Sequence, residues 1–403
     1  MSENEKEYFN KNYNLSYVDE SLPKPGFKLI AKHIISSMIV YYFVYVILCV
    51  NPFFKNYINI QTKEILRYCL FGYMIIAPLI YFPFRPKSVY SSHNIHIVDY
   101  FTRCILNLNK LKYCNSCENL KQTLEVFKPT YYEKSSIILI FIKLFFGTLM
   151  LNFALGNINV LKSRTGAFMN LFNSMHTMFV TSGFSALKNV IIMWRDFIYT
   201  NLILILFTID LSVYSFGYLT ELSIFKNKIR TVETTIGGLF ICIICYPPFV
   251  NVLNSLLGWN SYENASAFGD STHWLTWTCR LFGIFFLVIY VAASVALGTK
   301  ASNLTNRGTV SLFPYNIVRH PAYVSKVSCW IFQFLPTVFV SVPYLKANLG
   351  DYLIRITFAC IAISFYTLIY YLRALTEERH LSQDPDYREY QKKVKWQFIP
   401  GII

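Results

Sequence analysis

Charge is scarce in this chain. Only 15% of its 403 residues are Asp, Glu, Lys or Arg, whereas 54% are hydrophobic and 18% aromatic. So small a charged stock argues against a set of soluble domains, and several windows reach the roughly 20 apolar residues needed to cross a bilayer. An all-α, polytopic transmembrane helical bundle is expected. Acids are scarcer than bases, 22 against 37, for a formal charge of +15. That excess reads as juxtamembrane Lys and Arg on a cytoplasmic face. No basic groove with interleaved stacking aromatics lies outside the membrane, so no nucleic-acid partner is expected. A disulfide framework is also missing: the ten cysteines are scattered and mostly fall inside apolar runs. Met1 to Lys28 mixes charges without an apolar core, so no cleavable signal peptide is expected and the first span serves for insertion. No clear internal repeat is present.

What is there reads as about eight spans with the N-terminus inside. A polar tail, residues 1–27, ends at the breaker Pro23-Lys24-Pro25-Gly26. Spans follow at about Ile30 to Val50 and Ile65 to Phe84. The segment near 85–135 holds eight Lys or Arg from Arg85 to Lys134 against four acids (Asp99, Glu118, Glu125, Glu133), which predicts a cytoplasmic loop with amphipathic helices of its own. A third span is expected at Ser136 to Leu155. Gly166 to Phe184, apolar but studded with Asn, Ser, Thr and His176, reads as interfacial or re-entrant. Further spans fall at Asn201 to Leu219, carrying Asp210, then Thr235 to Leu257 and Leu275 to Leu297. The intervening loop Gly258 to Trp274 contains Glu263 and Asp270 but no Lys or Arg, as the outer side requires. Val327 to Val342 and Leu353 to Leu372 form a closing hairpin whose two ends share the cytoplasmic side. Three regions result: the tail 1–27, a transmembrane region 28–260 with no role readable from its residues, and a C-terminal domain 274–403.

Two polar stretches flank that hairpin. The first is Pro314-Tyr315-Asn316-Ile317-Val318-Arg319-His320-Pro321-Ala322-Tyr323. Pro321 forces His320 to be extended and suits the first position of the following helix. Arg319 and His320 therefore precede a helix N-terminus and form with it a seat for a carboxylate or phosphate. The second stretch is Arg373-Ala374-Leu375-Thr376-Glu377-Glu378-Arg379-His380-Leu381. Arg373 and Glu377 are spaced i,i+4 on one helix face, with Glu378 about 100° further round. Read from composition alone, Glu377-Glu378 is a solvated helix end. Asp384-Pro385 then reads as an N-cap followed by Pro at N1, opening a tail helix with Tyr387, Tyr390 and Val394 on one face.

Pro-Tyr-x3-Arg-His-Pro-x-Tyr, a membrane hairpin, Glu-Glu-x2-Leu, Tyr-x2-Tyr-x3-Val and a final Ile-Pro together resemble the catalytic domain of the isoprenylcysteine carboxyl methyltransferase and phospholipid methyltransferase superfamily. Leu297-Gly298 fits as well. The resemblance covers about Trp274 to Ile403. It departs at Phe313 and Ser325, where the family usually has Gly, and at Asp384-Pro385, where an aromatic-Gly pair is usual. By analogy, the methyl donor is S-adenosyl-L-methionine. Its pocket is lined by Tyr315, Arg319, His320 and Tyr323, with Glu377 and Glu378 on its cationic or hydroxyl groups. Arg373 and His320 are the candidate catalytic groups, with His380 a further candidate base. An acceptor carboxylate needs no general base, whereas an amine or thiol does. A site abutting lipid implies a lipid or lipidated acceptor, reached from the bilayer of a bacterial inner membrane or endoplasmic reticulum. Residues alone do not define an oligomeric state.

Rival readings remain. The closing Pro400-Gly401-Ile402 also resembles NADPH-dependent membrane sterol reductases, although Pro-Ala-Tyr after Arg-His and the Glu-Glu pair favour the methyltransferases. An inactive transporter or scaffold retaining the fold is the non-enzymatic alternative. Cys114-x2-Cys117 with His93-x2-His96 has zinc-ligand types, but a lone CxxC in a long loop is more often incidental, and no metal is assigned. Asp210 marks either a polar pathway or a local hydrogen bond. Asn264-Ala265-Ser266 is a glycosylation sequon on the expected outer side. His176, Arg280 and Cys242-x2-Cys245 read as satisfied interior or interface groups.

Overall fold

A computed structural model describes residues 3–112, 124–257, 274–340 and 349–402. Cys114, Cys117, Glu263, the sequon at Asn264 and Asp270 lie outside the described residues. The described chain is helical apart from one two-stranded ladder and its connections. Five stretches are long and apolar enough to cross a membrane: Phe27–Val50, Ile60–Phe84, Tyr131–Leu219, Trp274–Lys300 and Ile356–Leu381. The expected all-α, multi-pass class is therefore present. The chain divides into two compact units.

The first unit comprises residues 1–152, 218–234 and 302–308. Its helices are α1 (Glu3–Asn12), α2 (Phe27–Val50), α3 (Pro52–Tyr57), α4 (Ile60–Phe84), α5 (His93–Lys112) and α6 (Tyr131–Ile142). Ile30, Ile34 and Ala77 form a small core between α2 and α4. The loop near 85–135 contains the amphipathic α5, as its composition required. Asn94 Nδ2 of α5 donates to Ser37 Oγ of α2, and Lys32 pairs with Asp99. Thr130 and Glu133 close a capping box on α6, and Arg103 makes a two-toothed pair with the same Glu133. Strands β1 (Thr231–Val232) and β2 (Thr305–Asn306) pair antiparallel, Thr231 opposite Asn306.

The second unit comprises 153–217, 235–301 and 309–403. Most of α7 (Thr148–Ser182) and α8 (Leu187–Leu219) belong to it, with α9 (Ile236–Ile243), α10 (Phe249–Leu257), α11 (Trp274–Leu297), α12 (Pro321–Val340), α13 (Leu349–Leu381) and α14 (Pro385–Lys393). α11 and α12 pack antiparallel: Phe282 and Phe286 stack on Phe332, and Cys329 Sγ donates to the Gly283 carbonyl. Trp330, Phe334, Ala362, Tyr366, Ile369 and Tyr370 form the α12–α13 core.

Two expectations are corrected. The stretch Gly166 to Phe184 is not a re-entrant segment: α7 runs without a break through Ser182 and turns at Gly183 (φ 57°) into α8. The polar residues that suggested an interface satisfy themselves on the helix, Ser174 on the Asn170 carbonyl, Thr177 on Asn173 and Thr181 on Thr177. His176 is exposed on this helix. Thr235 to Leu257 is not one continuous span either. Pro247 and Pro248 cannot continue a helix, so α9 and α10 are two short helices of 8 and 9 residues.

Gly217 shows how tightly the second unit closes. A Cβ placed there would lie 2.0 Å from the Ala301 carbonyl oxygen. Gly217→Ala is expected to cost about 1–3 kcal/mol through the backbone shift it forces, read as a lowered thermal midpoint. An unchanged midpoint would contradict the contact.

Candidate functional site

Pro321 opens α12 as expected, which leaves Arg319 and His320 at the mouth of the hairpin beside the end of α13. Asp384 caps α14, with its side chain accepting from the Asp386 N–H and Pro385 at N1. Tyr387, Tyr390 and Val394 are buried together on one face of that tail. Tyr390 OH donates to the Tyr315 carbonyl at 2.6 Å, tying tail to mouth.

The two polar stretches meet. Arg319 Nε and Nη2 donate to Glu378 Oε1 and Oε2 at 2.5 and 3.2 Å. His320 Nε2 lies 3.2 Å from Glu378 Oε1, and Gln397 Nε2 donates to Oε2 at 2.8 Å. The anion seat ahead of α12 thus holds this chain's own carboxylate. Arg319 is further fixed by the Val394 and Lys395 carbonyls at 2.9 and 2.7 Å. The backbone N–H groups of Arg319 and His320 donate to the Trp396 and Gln397 carbonyls, both at 2.9 Å. These tail contacts were not foreseen, because a backbone carbonyl leaves no signature in residue type.

Glu377 is placed differently. Its side chain is 41% exposed, and Oε2 accepts from Tyr323 OH at 2.5 Å while lying 3.9 Å from His320 Nδ1. Oε1 has no hydrogen-bond partner among the described residues. The Tyr323 ring stacks on the His320 imidazole, centroids 5.4 Å apart and planes 6° from parallel. Tyr323 also meets the buried guanidinium of Arg373, whose carbon is 5.3 Å from the Tyr323 centroid, 5.7 Å from Tyr370 and 5.9 Å from Tyr246. Tyr323 therefore links Arg373 to Glu377, the two residues spaced i,i+4. His380 is buried two residues beyond Glu378, about 200° round the helix. Phe313, the departure nearest the mouth, is 58% exposed, so its ring is not buried in the cluster. Burial pushes the phenols of Tyr387 and Tyr390 above their ordinary range.

Asp210 makes the local hydrogen bonds considered from sequence, accepting from Ser294 Oγ at 2.5 Å and Tyr290 OH at 3.1 Å across α8 and α11. Cys245 packs on the α12–α13 core.

A second ionic centre, in the first unit, was missed. Glu221 accepts from Lys143 Nζ at 2.9 Å and the Ile229 N–H at 3.1 Å, and lies 3.7 Å from His93 Nε2. Burial alone would raise its carboxyl. The Lys143 ammonium and His93 outweigh that and hold it well below its ordinary value. A Lys inside the third expected span was the signal available, since intramembrane charges come with partners. His93 thus belongs to this centre, whereas His96 lies against the Tyr132 ring. Among the described residues no cluster of three metal-ligating side chains occurs.

The chain was compared with protein-family models, curated proteins and solved structures, and it matches none of them.

Proposed function

We propose that the chain is a multi-pass membrane methyltransferase that uses S-adenosyl-L-methionine and acts on a lipid or lipidated acceptor, with its working face cytoplasmic. The observation that carries this reading is the meeting of Arg319, His320, Tyr323, Glu377 and Glu378 at one end of the α12–α13 hairpin. The motif likeness of residues 274–403 supports it, and the Lys and Arg bias of the loops supports the orientation.

The donor set suits such a cofactor once the roles are divided. Glu378 is consumed in holding Arg319, His320 and Gln397, so it builds the frame. Glu377 keeps an open oxygen and accepts the cofactor's ammonium or ribose hydroxyls. Arg373, set among three tyrosines, complements the cofactor's carboxylate, and Tyr315 and Tyr323 wall the pocket. When bound, the cofactor supplies an electrophilic methyl group on a sulfonium. The chain's work is then to align the acceptor and exclude water. With Nε2–H donated to Glu378, His320 presents Nδ1 as a base, and an amine or thiol acceptor passes its proton there. A carboxylate acceptor leaves that proton step unused.

The test is calorimetric titration of the purified full-length protein in nanodiscs with S-adenosylhomocysteine. Saturable binding is expected. Glu377→Gln should weaken it roughly tenfold to a hundredfold, the loss of one charge-assisted hydrogen bond, with folding unchanged. NADPH binding without S-adenosylhomocysteine binding would replace this proposal with reduction, and binding of neither would leave a scaffold. Labelled methyl donor added to membranes then identifies the acceptor class.

A further inference from the structure

At the other end of α11, away from the cluster just described, a cation is left short of partners. Arg280 is 5% exposed, and its Nε is buried with no hydrogen-bond partner among the described residues. One turn earlier on the same helix, Thr276 is fully buried and its Oγ1 is likewise without a partner among the described residues. The i,i+4 spacing puts both groups on one face. Trp277 meets two guanidiniums, the Arg195 carbon 3.8 Å from its ring centroid and the Arg280 carbon 4.8 Å. Tyr199 adds a second ring, 5.1 Å from Arg280. The acid at hand is Asp196, 3.4 Å from Arg195 Nη2 and 3.9 Å from Arg280 Nη1. Among the described residues, Asp196 is the acid beside both guanidiniums, and it is out of hydrogen-bond range of the more buried one.

Burying a guanidinium without acceptors is costly. Aromatic faces offset part of that cost but supply no lone pairs to its N–H groups. A tetrahedral oxyanion would do so, taking the Arg280 fork and the Thr276 hydroxyl together. Arg195 and Asp196, respectively 28% and 43% exposed, mark the open side from which it would enter.

Depth indicates the kind of anion. Arg280 lies near the start of α11, and 17 residues separate it from Leu297. At 1.5 Å per residue that is about 25 Å, close to the thickness of a bilayer's hydrocarbon core. Trp277 and Tyr199 sit at the same level, as interfacial aromatics do. We infer that Arg280, Thr276 and Arg195 form a phosphate seat at the headgroup level of the leaflet opposite the Arg319–Glu378 cluster. Its ligand is the phosphate of an anionic phospholipid or a free phosphate.

The seat is read by thermal unfolding of the full-length protein under three conditions: phosphatidylcholine nanodiscs, nanodiscs containing phosphatidylglycerol, and phosphatidylcholine nanodiscs with inorganic phosphate. A midpoint raised by phosphatidylglycerol in the wild type, but not in Arg280→Gln, supports a lipid ligand. The variant should need roughly tenfold or more of the anionic lipid for the same shift. A rise with inorganic phosphate alone, again lost in the variant, supports the seat with a soluble ligand. Asp196→Asn, which removes the competing carboxylate, should strengthen either response. No rise in any condition, or an equal rise in Arg280→Gln, overturns the inference. Should Arg280→Gln fail to fold, Arg280→Lys keeps the charge but loses the fork, and the same comparison applies.

Discussion

Glu378→Ala should lower the stability of the second unit by about 3–5 kcal/mol, because it strands a buried guanidinium and an imidazole that now share one carboxylate. For a unit of this size, 3 kcal/mol corresponds to a thermal midpoint lowered by about 6–12 °C. Ligand binding should fall with it, since His320 and Tyr323 lose the frame that stacks them. Arg319→Ala should resemble Glu378→Ala. The double substitution should cost clearly less than the sum of the two, as expected of groups that act through one contact. Glu377→Gln provides the contrast: its exposed carboxylate can lose charge with little change in midpoint, yet affinity for the cofactor product should drop. On the proposed methyltransferase reading, these two adjacent glutamates have opposite duties, one architectural and one ligand-facing. An unaltered midpoint in Glu378→Ala would remove the basis for that division.

In the first unit the largest effect is expected at Glu221. Glu221→Ala leaves Lys143 without its acid and the Ile229 N–H without its acceptor, at a cost of about 3–5 kcal/mol. The pH dependence has a definite sign. The folded carboxyl is held well below its ordinary value of 4.5, so its contribution is fully present above that value. The contribution is lost as pH falls from there toward the folded value. Glu221→Gln should therefore be less stable than wild type near neutral pH, and the gap should narrow on acidification. Midpoints measured from about pH 7 to about pH 3 test this against the range over which carboxylates titrate. A gap that stays constant, or widens, would show that the carboxylate's charge is not what holds the centre.

The parts of this molecule that could be read in advance are those set by local chemistry. Pro321 starts α12, and Asp384-Pro385 caps α14, because each device acts within a few residues. The meeting of His320 with Glu378 was legible from a hairpin argument, since two ends of one hairpin share a side. What could not be read is which groups consume one another. Nothing in Arg-His-Pro says that its anion is Glu378 rather than a ligand, because the choice depends on the approach of α13 in space. Arg280 was expected to be satisfied, and its buried, acceptor-poor position emerges only when α8 and α11 are set side by side. Glu221 was overlooked because its partners, Lys143, His93 and Ile229, are spread over more than a hundred residues of chain. The α9–α10 break has its local signal in Pro247-Pro248, set within a stretch whose overall apolarity is that of a single span.

The hold that the tail exerts on Arg319 has an evolutionary corollary. Three of its grips, from Val394, Lys395 and Trp396, are main-chain oxygens, and main-chain oxygens are the same whatever codon stands at the position. Lineages are free to change these amino acids while the clasp persists, provided that no residue is inserted or deleted between Tyr390 and Gln397. Selection there acts on spacing and is nearly blind to letter, so descendants would keep the grip while losing the resemblance.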